Sequence, residues 1–95
     1  MRWETSKYIG KTVVQWPEAT VIYHPFLNET LMLEGEVAVV FAALINNSLS
    51  AAELYKEEKL QVFLEGLDEE LSLKHIDLIL GELLKKELIE IVTLD

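Results

Sequence analysis

Two histidines, His24 and His75, are the side chains best suited to acid–base or metal chemistry in this chain, which contains no cysteine. They fall in different predicted elements, and no Asp or Glu stands at a spacing that would complete a metal site with them. The simplest interpretation places His24 at an exposed strand end and His75 in the first turn of a helix. The four glycines form no phosphate-binding loop, and no strained nucleophile turn is present. The sequence therefore predicts no enzyme activity, no metal and no cofactor.

The stretch VIYHPFLNETLML, residues 21–33, places polar residues between two apolar runs. It contains Asn28-Glu29-Thr30, which matches a glycosylation acceptor, and Asn46 starts a second match. Asn28 also tolerates the left-handed backbone of a tight turn, so this stretch predicts a hairpin joining two strands. No apolar run has the length of a signal peptide or a membrane span, which favours a cytoplasmic protein in which neither Asn is glycosylated.

Charge narrows the classes of partner. The chain has 17 acidic and 8 basic residues among 95, for a net charge of −9. Phosphate binding depends on clustered Lys and Arg, so this balance disfavours nucleic acid and favours basic partners. A hydrophobic content of 51% allows a true core, and the length suits one domain over residues 1–95.

The order of elements predicts an α+β fold. β-Branched and aromatic residues indicate strands at 11–16, 20–24 and 30–33, and alternation in the last puts Leu31 and Leu33 on the face opposite Thr30 and Met32. Helical spacing follows over about 35–86, and LIEIV at 88–92 predicts a final short strand or wing.

Capping signals divide the helical region. The first helix should end at Asn46-Asn47, and Ser50 with Glu53 forms a capping box that starts the second. Ser72 is the expected cap of the third helix, which runs to about Lys86. The predicted core consists of the apolar residues that share faces of the third strand and the first and third helices: Leu33, Val37, Val40, Phe41, Leu44, Ile76, Leu80 and Leu83.

The outer face of the third helix is unusual, because it collects Lys74, Leu78, Gly81 and Lys85. Glycine in a helix interior costs about 1 kcal/mol relative to alanine. A glycine beside a lone exposed leucine therefore predicts that another molecule approaches this face closely.

Three functions remain open at this stage. The third strand, if it lies at a sheet edge beside the third helix, can pair with an incoming peptide. A winged-helix DNA-binding protein has a similar order of elements, although Asp77, Glu82 and Glu87 stand among the lysines of its third helix. A structural domain that uses the edge for self-association, as in a homodimer, is the third.

A family resemblance favours the first. The segment WPEATVIYHPFLNETLMLEGEVAVVFAALINNSLSAAEL, followed by a leucine-rich helix ending in LIE, resembles the PqqD-like peptide chaperones, also called RiPP recognition elements. It is most similar to the group associated with the HPr-rel-A system. The likeness covers roughly residues 13–91 and is strongest over 16–54.

The resemblance implies a three-stranded antiparallel sheet packed on a winged-helix-like three-helix bundle. It also implies a domain that presents a precursor peptide to a modifying enzyme, with the peptide added beside the third strand and against the third helix. By position, the peptide-binding residues are Thr30, Leu31, Met32, Leu33, Lys74, Leu78, Gly81 and Lys85.

The sequence departs from the family pattern in three places. Glu34 replaces the usual Asn or Asp cap, KKELIE lacks the usual glycine before Leu-Ile, and the segment 56–71 is long enough to cover the groove.

Overall fold

The order of strands and helices in the computed structural model, which describes residues 1–6, 13–16, 19–24 and 28–92, is that of an α+β fold. Its strands are β1 (Arg2–Thr5), β2 (Val13–Gln15), β3 (Ala19–His24), β4 (Glu29–Glu34) and β5 (Ile89–Val92). Its helices are α1 (Gly35–Asn46), α2 (Ala51–Tyr55), α3 (Glu58–Gln61) and α4 (Glu69–Lys85).

The strands β2, β3 and β4 form an antiparallel sheet in that order, which confirms the predicted three-stranded sheet. The β3–β4 turn contains Asn28 at φ 51°, in the left-handed region that its short polar side chain tolerates. The Tyr23 hydroxyl donates a hydrogen bond to the Asn28 side-chain oxygen at 2.5 Å. The predicted hairpin is therefore correct at Asn28, while the rest of its loop, residues 25–27, lies outside the described residues.

A second, two-stranded sheet was not predicted. β1 pairs antiparallel with β5, and its Trp3 exchanges backbone hydrogen bonds with Leu49. The Arg2 guanidinium contacts the Glu53 carboxylate at 2.6 Å. The predicted strand at 88–92 is thus present, and its partner is a polar segment near residue 3 whose composition gave no strand signal.

The end of the first helix and the start of the second are where the capping signals predict. α1 ends at Asn46, and Ser50 and Glu53 form the reciprocal hydrogen bonds of a capping box at the start of α2. The hydrogen bond that the Ser50 backbone N–H donates to the Glu53 carboxylate is the main cause that lowers the pKa of this carboxyl below its usual value. The positive charge of Arg2 lowers it further. The following region then breaks into two short helices instead of one.

The prediction that Ser72 caps the last long helix is wrong. α4 begins one turn earlier, because the Asp68 side chain accepts a hydrogen bond from the backbone N–H of Leu71. Ser72 lies inside the helix and is buried, and its hydroxyl has no partner among the described residues. Both residue types are good caps, and the acidic residues that follow Asp68 favour the earlier start through the helix dipole.

The core lies where the sheet meets α1 and α4, as predicted. Its fully buried side chains include Leu33, Val40, Phe41, Leu44, Ile76, Leu80 and Leu83, and Val37 packs against them half-buried.

His24 contradicts its predicted exposure, because only 1% of its surface is accessible. Strand alternation places it on the same face as Thr20 and Ile22, which are both buried. Its Nε2 lies 3.3 Å from the backbone oxygen of Glu87, just beyond α4. His24 is therefore a core residue that links β3 to the end of α4.

The C-terminus of α4 closes with a Schellman arrangement. The N–H of Leu88 donates to the Leu83 carbonyl and that of Glu87 to the Leu84 carbonyl, with Glu87 at φ 59°. Glu87 therefore occupies the left-handed position where glycine is usual, at the place where this sequence departs from the PqqD-like pattern.

Phe41→Ala should lower the free energy of unfolding by roughly 3–5 kcal/mol, because it leaves a cavity at a residue with 0% exposure. The same change at Phe63, which is 44% exposed, serves as the control and should produce a clearly smaller loss in denaturant melts. Equal losses at the two positions would contradict the assignment of Phe41 to the core.

Glu87→Gly should raise the stability by about 1 kcal/mol, because glycine adopts positive φ without the steric conflict of a Cβ. The matched control is Glu82→Gly within α4, where glycine should lower the stability by about 1 kcal/mol. Thermal melts of both variants provide the measurement, and a loss of stability in both would show that Glu87 is not strained.

Candidate functional site

The direction of the backbone groups in β4 follows from one hydrogen-bonded pair at the β2–β3 turn. Trp16 and Ala19 exchange both backbone hydrogen bonds, at 2.8 and 3.3 Å. In an antiparallel pair, hydrogen-bonded and non-hydrogen-bonded residues alternate, so the groups of Ala19 and Val21 point towards β2. Those of Thr20 and Ile22 then point towards β4, where their partners are Leu33 and Leu31.

The same alternation leaves the N–H and C=O groups of Thr30 and Met32 pointing away from β3. No described strand pairs with β4 on that side. The free edge of β4 is therefore the row of backbone donors and acceptors at Thr30 and Met32. Of the four β4 residues predicted to bind peptide, only these two present their backbone there, since Leu31 and Leu33 use theirs in the sheet.

Side chains on the two faces of this edge differ. Leu33 is buried and Leu31 half-buried towards the core, whereas Met32 is 61% exposed on the outer face. Met32 aligns across the sheet with Val21 and Val14, which extend an apolar row over that outer face.

Two contacts connect α4 and its C-terminal end to residues near the two ends of β4. Near one end, His75 Nε2 contacts the Glu36 carboxylate at 2.9 Å, two residues beyond β4. At the other end, the Glu87 carbonyl meets His24, which pairs with Glu29 at the start of β4. The chain rises about 18 Å along the helix direction between residues 75 and 87, which is close to the roughly 17 Å that β4 spans.

The four α4 residues predicted as site residues are all exposed. Leu78 has 70% of its surface accessible, and a Cβ built on Gly81 meets nothing within 4 Å. Lys74 forms an exposed ion pair with Glu70 at 3.6 Å, and Lys85 is exposed without an ion pair among the described residues. Together they form the solvent-facing side of α4.

A second set of α4 residues lies on the side of the helix that contacts the start of α1, and it was not predicted. His75 contacts Glu36 of α1 on that side, and Glu82 follows His75 two turns later. With about 100° between successive residues, Leu78 lies about 60° from His75 round the helix and Gly81 about 120°. Leu78 is thus the predicted residue closest to His75, and a helical wheel anchored on the His75–Glu36 contact would have found Glu82.

A groove of about 1140 Å³, lined by both apolar and charged residues, lies at the end of the sheet formed by the β2–β3 turn. Its lining includes small residues of α1 together with Trp16, Val62 and Phe63, and none of its lining residues belongs to β4 or α4. Ala19 and Gly35 are among its lining residues, so the groove adjoins the Glu34 end of the sheet without including the β4 edge itself. Sequence reasoning missed it because its walls come from segments distant in the chain.

Within the described ranges, no group of three or more His, Asp or Glu side chains is arranged to hold a metal ion. In the same residues, no helix combines the length and the apolar character needed to cross a bilayer.

Comparison of the chain with protein-family models, curated proteins and solved structures found no match. The PqqD-like resemblance therefore stays a prediction based on the residues that carry it.

Gly81→Ala should raise the free energy of unfolding by about 1 kcal/mol, because alanine is the better helix former and the space beside residue 81 is open. Gly66→Ala is the control, since φ +88° disfavours any Cβ and the change should lower stability. Chemical denaturation measures both. A lower free energy of unfolding in Gly81→Ala would mean that this glycine serves the fold and not a contact with another molecule.

Proposed function

We propose that this domain is a non-enzymatic binding module that receives an extended peptide, or an extended segment of a partner protein, along the free edge of β4. The observation that carries the proposal is the row of backbone groups at Thr30 and Met32, with which no described strand pairs. Such edges bind strands by backbone pairing, and neighbouring side chains supply the selectivity.

The arrangement of the proposed site agrees with the PqqD-like resemblance. In the proposal, the sheet and helices α1, α2 and α4 form a winged-helix-like unit, with α3 as an insertion in the long segment 56–71. The peptide is a precursor presented to a modifying enzyme. Lys56, Glu57 and Phe63 of that long segment line the groove at the β2–β3 turn, together with Gly35.

The helix α4 provides the second wall for the bound strand. Leu78 is an exposed apolar side chain on a mostly charged helix face, and burying it against a ligand would remove apolar surface from water. Lys85 lies two turns beyond Leu78 and is exposed to solvent. Backbone pairing at β4 would supply affinity for varied sequences, and Leu78 would favour an apolar residue in the ligand.

DNA binding is a weaker candidate. The exposed face of α4 carries Asp77 and Glu82 as well as its lysines, and Lys74 is already paired with Glu70. A recognition helix needs net positive charge to approach phosphate. The acidic α4 surface therefore favours a peptide over a nucleic acid.

Met32→Pro should abolish peptide binding and leave the domain folded. Proline removes the N–H that points to the free edge, and edge strands tolerate proline when that N–H is not bonded within the sheet. The measurement is an NMR titration of the labelled protein with synthetic peptides, including any short peptides encoded beside its gene. Amide shifts should concentrate in residues 30–33 and 74–85.

Leu31→Pro is the matched control, because it removes an N–H that bonds to β3 and should destabilise the sheet. Circular dichroism melts separate the two effects. Unchanged peptide affinity in folded Met32→Pro, or shifts confined to β1 and the segment 56–71, would refute binding at this edge.

A further inference from the structure

One side of α1 forms the floor of the groove at the β2–β3 turn. Glu36 is the only charged residue of α1, so the helix is apolar beyond the face that packs on the core. A helix that is apolar all round is normally buried all round. The α1 residues with alkyl side chains in the groove lining are half-buried: Ala38, Val39, Ala42 and Ala43. This side of α1 therefore has the composition of a buried surface, although it stays partly open to solvent.

Large apolar side chains stand beside this floor of small residues. Trp16 is 60% exposed and Val62 70% exposed, and both line the groove. Phe63 lines it too, with a ring carbon 3.9 Å from the position that a Cβ on Gly35 would occupy. A surface that carries projecting side chains next to a hollow can fit a copy of itself across a two-fold axis. The shape of the groove is therefore compatible with self-association.

The charges of the groove also suit a second copy. Its lining contains two lysines and two glutamates: Lys56, Glu57, Glu58 and Lys59. The formal charge of the lining is zero, whereas the whole chain carries −9. Two copies can therefore meet here without the like-charge repulsion that the rest of an acidic chain imposes. Across a two-fold axis, each lysine can face a glutamate of the other copy.

The size of the surface sets the strength of such a contact. Fifteen residues line the groove. A standard interface takes roughly 20–30 residues from each partner, so the groove with its immediate surroundings reaches the lower end of that range. A weak, reversible dimer is the state that this area supports.

We infer that the groove is the contact surface of a reversible homodimer. In this dimer, Trp16, Val62 and Phe63 of each copy rest on the small residues of the other copy's α1. None of the lining residues belongs to β4, so the contact does not require the free strand edge. The inference therefore stands independently of peptide binding at β4.

The first test follows the mass of the intact protein by sedimentation velocity, from low micromolar to near-millimolar concentration. The mass should rise from that of one chain to that of two. Dilution of the labelled protein in NMR locates the contact, and the shifts should concentrate in residues 38–43 and 56–63.

A charge placed among the exposed apolar side chains should dissolve the dimer. Val62→Glu should raise the dimer dissociation constant about tenfold or more, because it buries an unpaired carboxylate in the contact. Leu71→Glu is the matched control, since Leu71 is an exposed apolar residue of α4 that does not line the groove. It should leave the dissociation constant unchanged, and circular dichroism melts verify that both variants are folded.

A charge exchange tests the pairing between copies. Lys56→Glu with Lys59→Glu leaves four glutamates in the lining, and Glu57→Lys with Glu58→Lys leaves four lysines. Each double variant alone should remain a single chain, because like charges then face each other. An equimolar mixture of the two should regain the mass of a dimer.

Three results would overturn the inference. A single-chain mass at every concentration would mean that the groove does not receive a second copy. A mixture of folded double variants that stays monomeric would remove the charge pairing. A dimer with shifts confined to residues 30–33, lost in Met32→Pro and kept in Val62→Glu, would place self-association at the β4 edge. Peptide binding at β4 is measured separately, so its failure would leave a groove dimer standing.

Discussion

The hydrogen-bonded pair formed by Trp16 and Ala19 sets the phase of the whole three-stranded sheet. Once that pair is fixed, the backbone N–H and C=O of each β3 residue point to either β2 or β4, and each side chain points to one face of the sheet. Ile22 must point into the core, and Leu31 must bond back to β3. A shift of one residue would turn the apolar set outward, so the buried face stabilises the register that exposes Thr30 and Met32.

Features with local causes could be predicted from the sequence. Asn28 predicts a left-handed turn, and Ser50 with Glu53 predicts the start of a helix. The alternation from Leu31 to Leu33 predicts the two faces of a strand. Each depends on residues within a few positions of one another. The apolar periodicity of α1 and α4 predicted the core for the same reason.

Features with distant causes could not be predicted in this way. β1 is a strand because β5 and Leu49 pair with it, and nothing in its own composition requires this. Alternation from Ile22 points the His24 side chain inward, but its burial at the end of the strand also requires that α4 end beside it, which the local sequence does not show. The candidate site shows both cases: the exposed face of α4 was predicted correctly, whereas the side that contacts α1 depends on the distant pair His75 and Glu36.

The unpaired strand edge also has a colloidal consequence. A bare edge beside an apolar outer row is a template on which identical chains can stack, and such contacts lead to aggregation. Glu29 and Glu34 stand at the two ends of that edge, in a chain with a net charge of −9. Two copies that align their edges bring these carboxylates together, and their repulsion keeps the chains dispersed at neutral pH. Acid or concentrated salt weakens that repulsion, so the solubility of this domain should depend on the ionisation of Glu29 and Glu34.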